Sequence, residues 1–330
     1  MMRYVLLLLA TMLLQHWTTP TTAQDYSLEK VREIPIDLGD EIVGQISDLA
    51  RDTEGNFYLS DRQQHTVWVT DPSGKLIRRI GQEGSGPGEM SKPQNVTVFD
   101  DRIVVFDKEN FRVATFNLAG VHQASFRIDR PGPDNIVCGS EARCAVSSLF
   151  GESLLTVYDL NGNKSHDMGS RPWPPDPPIP VRMGGSFLHM SLTPEGRILF
   201  SSIKTYQVYD MEWDGRIIAT YSAEPSGYFP MVITSMETAS EELNRSTKIF
   251  RPLVVGDLVL VQRVRNSPDN FGIRHIDLFE RNGTLVQMDI ESPLHFDYAE
   301  GDDLYAIDIN PVEEGELNPS IVVYRLNGGP

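Results

Sequence analysis

The first stretch that could carry chemistry is GQEGSGPGEMSKPQN, residues 81–95. Gly81, Gly84, Gly86 and Gly88 crowd together here, as in loops that cradle a phosphate with backbone N–H groups. Such a loop also needs a G-K-[ST] ending, or a helix whose N-terminus meets the anion. Pro93 and a β-rich segment follow instead, so the stretch reads as a connector that turns the chain between two sheets. Other compact signatures are missing from the sequence: there is no HExxH, no CxxC, no G-x-S-x-G at Ser85 and no run of alternating Asp of the EF-hand kind. Cys138 and Cys144, in VCGSEARCAV, are the only cysteines. Two thiols make a poor metal site, and the turn residues Gly139 and Ser140 between them predict a disulfide across a tight hairpin. Any site must therefore be assembled by the fold from distant residues.

The elements that would assemble it are short strands. FYLSD, VWVTD, RIVVFD, LLTVYDL, RILFSS, YQVYDM, LVLVQRV and IVVYRL alternate apolar and polar residues and are rich in Val, Ile, Tyr and Phe. Helical periodicity is confined to one candidate, around residues 234–247. A turn recurs after every third strand, as DPSGK, NLAGV, DLNGN, EWDGR, ERNGT and RLNGG, with glycines at 74, 120, 162, 215, 283 and 328. Glycine supplies the positive φ that such hairpins need. The separations match one four-stranded propeller blade plus its loops. The sixth turn has no strand after it, whereas KVREIPIDL at 30–38 is a spare strand before the first full blade. Pairing the two predicts an all-β, six-bladed propeller of four-stranded antiparallel blades, closed by an N-terminal strand in the last blade.

GNFYLSDRQQHTVWVTDPSGKLIRRIGQEGSGPGEMSKPQNVTV resembles the NHL-type repeat of six-bladed propellers, and VVFDKENFRVATFNLAG carries the pattern into the second blade. In later blades only YDLNGN, YDMEWDG and LFERNG recur. The resemblance implies a binding platform, since most such propellers are platforms. Related six-bladed families include lactonases, lyases and synthases, so it leaves the activity open.

Composition narrows the partners. A formal charge of −17 argues against nucleic acid, which needs a basic footprint. Forty per cent hydrophobic residues is ample for a core. The opening MMRYVLLLLATMLLQHWTTPTTA has the charged, apolar and small-residue order of a secretory signal peptide over 1–23, cleaved after Ala23. A single propeller domain over 24–330 then follows, with no later segment apolar enough to span a membrane. The mature chain is expected to be an exported monomer, periplasmic or extracellular.

A propeller's first strands line its central channel. Reading back from each first hairpin gives Asp48, Asn95, Asn135, His189, Arg251 and Asp297, with His295 two before the last. Three readings of this ring stay open. Its groups satisfy one another, with Arg251 paired to Asp48 or Asp297. Alternatively, Arg251, His189 and the amides grip an anionic or polyhydroxy ligand. In the third, Asp48, Asn95, Asn135 and Asp297 hold calcium, as the lactonase resemblance would imply, against repulsion from Arg251. Asp61, Asp107 and Asp308, which end second strands, are expected to hydrogen-bond their own turns rather than form an acidic ring. Arg62, Lys108, Lys204 and Arg263 are expected to form a cationic rim on the connector face. The long segments 169–186, 222–249, 262–272 and 308–320 belong to that face as well, and Trp173 in the proline-rich GSRPWPPDPPIPVRMGG offers a stacking surface. The expected function is recognition of a small molecule, glycan or peptide there. A calcium-dependent hydrolase or lactonase and a protein-interaction scaffold are the alternatives.

Overall fold

Strands that bury both faces need neighbours on each side, and the chain supplies them by stacking sheets around a channel. The computed structural model describes residues 24–130, 132–139, 141–148, 152–170, 188–202, 205–225, 227–230, 237, 241, 244–267, 270–309 and 318–329. Within them, six antiparallel sheets form a six-bladed β-propeller. Blades one to five span residues 46–80, 93–127, 133–170, 188–222 and 248–291. In the first four, strand order from the channel outward follows chain order. The cores lie mostly between blades: Val67, Val69 and Ile80 of blade one, for example, pack with Val96, Ile103 and Phe116 of blade two.

The ring closes as the spare strand predicts. Gln24–Pro35 is the outermost strand of blade six and pairs with Ser320–Gly329, Ile34 facing Ile321. The following residues cross to blade one, where Ile34, Ile36 and Leu38 are buried with Phe57, Trp68, Ile321 and Val323. The Asp37 carbonyl accepts the Leu76 N–H at 2.8 Å, stitching the first and last blades together. Gly74 lies under this crossing with φ 89°. A Cβ there would stand 2.1 Å from the Pro35 carbonyl oxygen, so only glycine fits.

Blade five departs from the pattern at its inner edge. Lys248–Ile249 and Leu253–Val255 both pair with Leu258–Ser267, and Phe250, Arg251 and Pro252 interrupt them. Pro252 has no N–H to give the ladder, and the break swings Arg251 into the channel. Residues 262–272, read from sequence as a loop, belong instead largely to the long hairpin of Leu258–Ser267 and Asn270–Glu280. Alternation continues through Val264 and Ile273, so the turn falls later than expected. Helix is seen at Glu237, Glu241, Asn244 and Arg245, inside the one predicted helical stretch. Lys204, Trp173, the proline-rich stretch 171–187 and residues 1–23 lie outside the described residues.

The glycine-rich connector is tied down within the protein, chiefly through its carbonyls. Arg112 of blade two donates to the carbonyls of Ser85, Gly86 and Glu89 at 2.6–3.1 Å, and its Nε bonds Asp107 at 2.8 Å. The Asn110 amide takes the Gly84 carbonyl, and the Glu89 carboxylate takes the Gly86 N–H. A strand follows at Pro93–Phe99. Asp61 likewise serves its own surroundings, accepting the N–H groups of Gly44, Gln45, Gln63 and Gln64 and the Trp68 indole. Cys138 and Cys144 face each other across the blade-three hairpin and form the disulfide, with Cα atoms 4.1 Å apart.

Candidate functional site

The channel is divided by a polar layer. At the start of each inner strand in blades one to three, the ladder slips register, between Ile46 and Asp48, Pro93 and Asn95, and Pro133 and Ile136. A bulge re-aims the side chain beside it. Asp48 and Asn95 thereby reach the next blade. The Asp48 carboxylate accepts the Val96 N–H at 3.0 Å and the Asn95 amide at 3.3 Å, and the Asn95 oxygen accepts the Ile136 N–H at 3.3 Å. These residues act as pins between blades. Asn135 is the third in the series, yet its buried amide oxygen has no hydrogen-bond partner among the described residues.

Arg251 closes the layer from the far side. Its guanidinium bonds the Asp48 carboxylate at 2.5 Å and the Asp297 carbonyl at 3.0 Å. The Gln262 amide steadies it, donating to the Arg251 and Phe296 carbonyls and accepting the Phe296 N–H. His189 and His295 flank Phe250, with ring centroids 5.2 and 4.9 Å away. Burial, helped by Arg251, pushes His189 down to about 4. Burial and His189 push His295 to about 3, so both rings are neutral at pH 7. Burial raises the Asp297 carboxyl to about 7; Arg251 opposes this and the Asp48 charge adds to it. Arg251 is thus committed to Asp48, and the Asp297 carboxylate is left incompletely compensated.

On the connector face above this layer lies a hollow of about 460 Å³. Arg62, Lys92, Lys108, Gln94, Asn135 and His189 contribute to its lining, together with Glu109 and Asp134. Lys108 bonds the Asp134 carboxylate at 3.0 Å, Lys92 reaches Glu109 at 3.4 Å, and Arg62 is exposed. Two of the four predicted rim cations therefore stand at this mouth. Arg263 does not: it is 1% exposed inside blade five, bound to Asp277 at 2.7 Å and also to Asp289. The error is one of register, because Arg263 lies within a strand that continues past the expected loop. On the opposite face a second cavity of about 460 Å³ runs down to Asp48, Arg251 and Asp297, its walls mixing aliphatic side chains with Thr97, Ser191 and Thr193.

The layer does not fit calcium as it stands. Both Asp48 oxygens are engaged, Oδ1 by Arg251 and the Leu49 N–H and Oδ2 by Asn95 and Val96. The Arg251 cation fills the space between Asp48 and Asp297, and the Asn95 oxygen is taken by a backbone N–H. Among the described residues, no group of three or more His, Cys, Asp or Glu is placed to hold a metal ion.

Of the sequence-derived ring, Asp48, Asn95, Arg251 and Asp297 meet, whereas Asn135 and His189 face the connector-side hollow. Sequence reasoning missed Gln262, Gln94, Lys92 and Asp134. Gln262 had a signal, as the lone amide in the apolar run LVLVQRV. The other three sit in loops or at strand starts, where polar residues carry no such signal.

Comparison with known proteins agrees with this architecture. A family model described as a 6-bladed beta-propeller matches residues 20–130. No curated protein matches the sequence. A solved structure described as an exported protein of Bacteroides fragilis is similar over 91% of this chain and 95% of its own, with a TM-score of 0.68 and 14% identity. A member of the duf4221 family from Bacteroides vulgatus is similar over 92% and 99%, with a TM-score of 0.70 and 10% identity. Virginiamycin B lyase from Staphylococcus aureus covers 92% and 100%, with a TM-score of 0.51 and 12% identity. At these identities the likeness is one of fold. Among the described residues, no helix is long and apolar enough to cross a membrane.

Proposed function

We propose that this chain is an exported binding platform that takes a small anionic or polyhydroxy molecule in the connector-face hollow. The observation that carries this reading is the composition of that hollow. Three cations, three amides (Gln45, Gln94 and Asn135) and a neutral imidazole surround a space of about 460 Å³, against two carboxylates. Asn135 adds a buried amide oxygen without a partner, and such groups are costly unless something satisfies them. Arg62 and Lys108 supply charge-assisted bonds, and Gln94, Asn135 and His189 supply donors and acceptors for hydroxyls. Export rests on the organisation of residues 1–23 and agrees with the exported Bacteroides neighbour.

Isothermal titration with glucuronate, and with glucose as its uncharged match, tests the reading. Glucuronate should bind one-to-one and more tightly than glucose. Arg62→Ala and Lys108→Ala should each weaken it by roughly 10-fold, the effect of one charge-assisted bond. Binding unaffected by either substitution would place the ligand elsewhere. No heat with either sugar acid or inorganic phosphate would remove the small-anion reading.

A further inference from the structure

The cavity on the face opposite the connectors differs in kind from the hollow just described. Its walls come from the inner strands of all six blades, with Ala50, Val98, Val137, Leu192 and Val254 among them. Each of these side chains keeps some exposure, so an apolar ligand body in the cavity would cover them and release the water against them. Polar groups gather at two levels. At the mouth, Arg51 is held over the rings of Phe57 and Tyr305 at 5.0 and 4.8 Å and is ion-paired to Glu300. At the floor stand Asp48, Arg251 and Asp297.

The charge balance of the floor selects the ligand's head group. Arg251 and Asp48 neutralise each other through a 2.5 Å bond. Toward Asp297, Arg251 spends its hydrogen bond on the backbone carbonyl. One carboxylate in excess thus faces an apolar cavity. At the mouth Arg51 and Glu300 cancel, so the excess persists over the whole cavity. A carboxylate ligand would add a third negative charge at the floor. A neutral ligand would leave the excess where it is. An ammonium group would compensate it and gain a charge-assisted bond in a water-poor setting.

We infer that this second cavity binds an apolar primary amine, its ammonium at Asp297 and its hydrocarbon body against the aliphatic walls. The site is separate from the connector-face hollow, since the Asp48–Arg251 layer lies between them, and the inference does not depend on what that hollow binds. Burial raises the Asp297 carboxyl to about 7, so an ammonium beside it would favour its ionised form.

The test is titration of the purified protein with 4-phenylbutylamine, 4-phenylbutanol and 4-phenylbutyrate at pH 8, where Asp297 is mostly ionised. The amine should bind at least roughly 10-fold more tightly than the alcohol, and the carboxylate should bind most weakly. Asp297→Asn should reduce the amine to the affinity of the alcohol. Leu192→Arg, on a partly buried wall position, should abolish binding of both, while Arg62→Ala should leave both unchanged. Far-ultraviolet circular dichroism reports whether each variant is folded. Equal affinity for amine and alcohol, an Asp297→Asn variant that keeps the amine preference, or no binding of any probe would overturn the inference.

Discussion

The two ends of one channel differ in chemistry: the connector-end hollow is lined from blades one to four, the opposite cavity from all six. The connector end is polar and cationic, with Arg62, Lys92 and Lys108 around amides and His189. The opposite end has more aliphatic side chains in its walls, such as Val98, Val137 and Leu192, and one excess carboxylate at its floor. The difference follows from where each end draws its residues. Connector-end residues come largely from loops and bulged strand starts, which stand free of the sheet pattern. Residues of the other end come from regular strand, whose alternation sends aliphatic side chains into the spaces between blades. The Asp48–Arg251 pair lies between the two ends.

Removing that divider should have the largest effect. Arg251→Ala leaves Asp48 and Asp297 as neighbouring buried carboxylates without their cation. It should destabilise the protein by about 3–5 kcal/mol in urea unfolding at pH 8. The loss should shrink on acidification, as Asp297 takes up a proton. A loss below about 1 kcal/mol at pH 8 would show that water reaches both carboxylates and that the channel is continuous.

Acid should act on the two sides in opposite directions. His189 and His295 have folded pKa values below their usual 6.5, so the unfolded chain binds more protons from about pH 4 to 6.5, and stability is lost as pH falls through that window. Asp297 has a folded value raised from 3.8 to about 7, so the native state binds the extra proton, and its term favours folding at low pH and fades as pH rises to about 7. Asp297→Asn should therefore stabilise the protein at pH 8 by on the order of 1–2 kcal/mol and have little effect at pH 4. Unfolding curves at both values check this. Equal effects at both would mean that Asp297 titrates normally.

The disulfide offers a further contrast, because Cys138 lines the aliphatic cavity but not the polar hollow. Cys144→Ser should cost about 2–3 kcal/mol through the unfolded state. Amine binding should weaken several-fold, and glucuronate binding should not change. Parallel losses of both ligands would point to general loosening of blade three.

The smallest effect is expected at the connector rim. Lys92→Ala breaks an exposed pair with Glu109 and should alter stability by less than about 0.5 kcal/mol. It should weaken glucuronate only two- to three-fold, less than Arg62→Ala. A larger loss than at Arg62 or Lys108 would move the anion toward Glu109.

The fold was legible because its signals repeat. The turns at Gly74, Gly120, Gly162, Gly215 and Gly283 all take φ between 81° and 96°, and the count of strands around them fixed both the blade number and the closing strand. Asp48, Arg251 and Asp297 were legible as channel candidates because counting back from each blade's first hairpin reaches them, and all three line the channel. Their roles were not, since which carboxylate Arg251 chooses depends on the strand break at Pro252 and on Gln262 from the next strand. Arg263 was misplaced because a hairpin's length is set by tertiary pairing, which polar alternation marks poorly. The connector-end hollow was least legible, as loops carry no period.

The most direct test of the divided channel is a two-ligand titration, with glucuronate binding measured in the absence and presence of saturating 4-phenylbutylamine at pH 8. Two separate ends predict a glucuronate Kd unchanged within about two-fold and a ternary complex with one of each ligand. Mutual displacement, with apparent Kd rising in proportion to the amine, would show a single shared site and contradict the account.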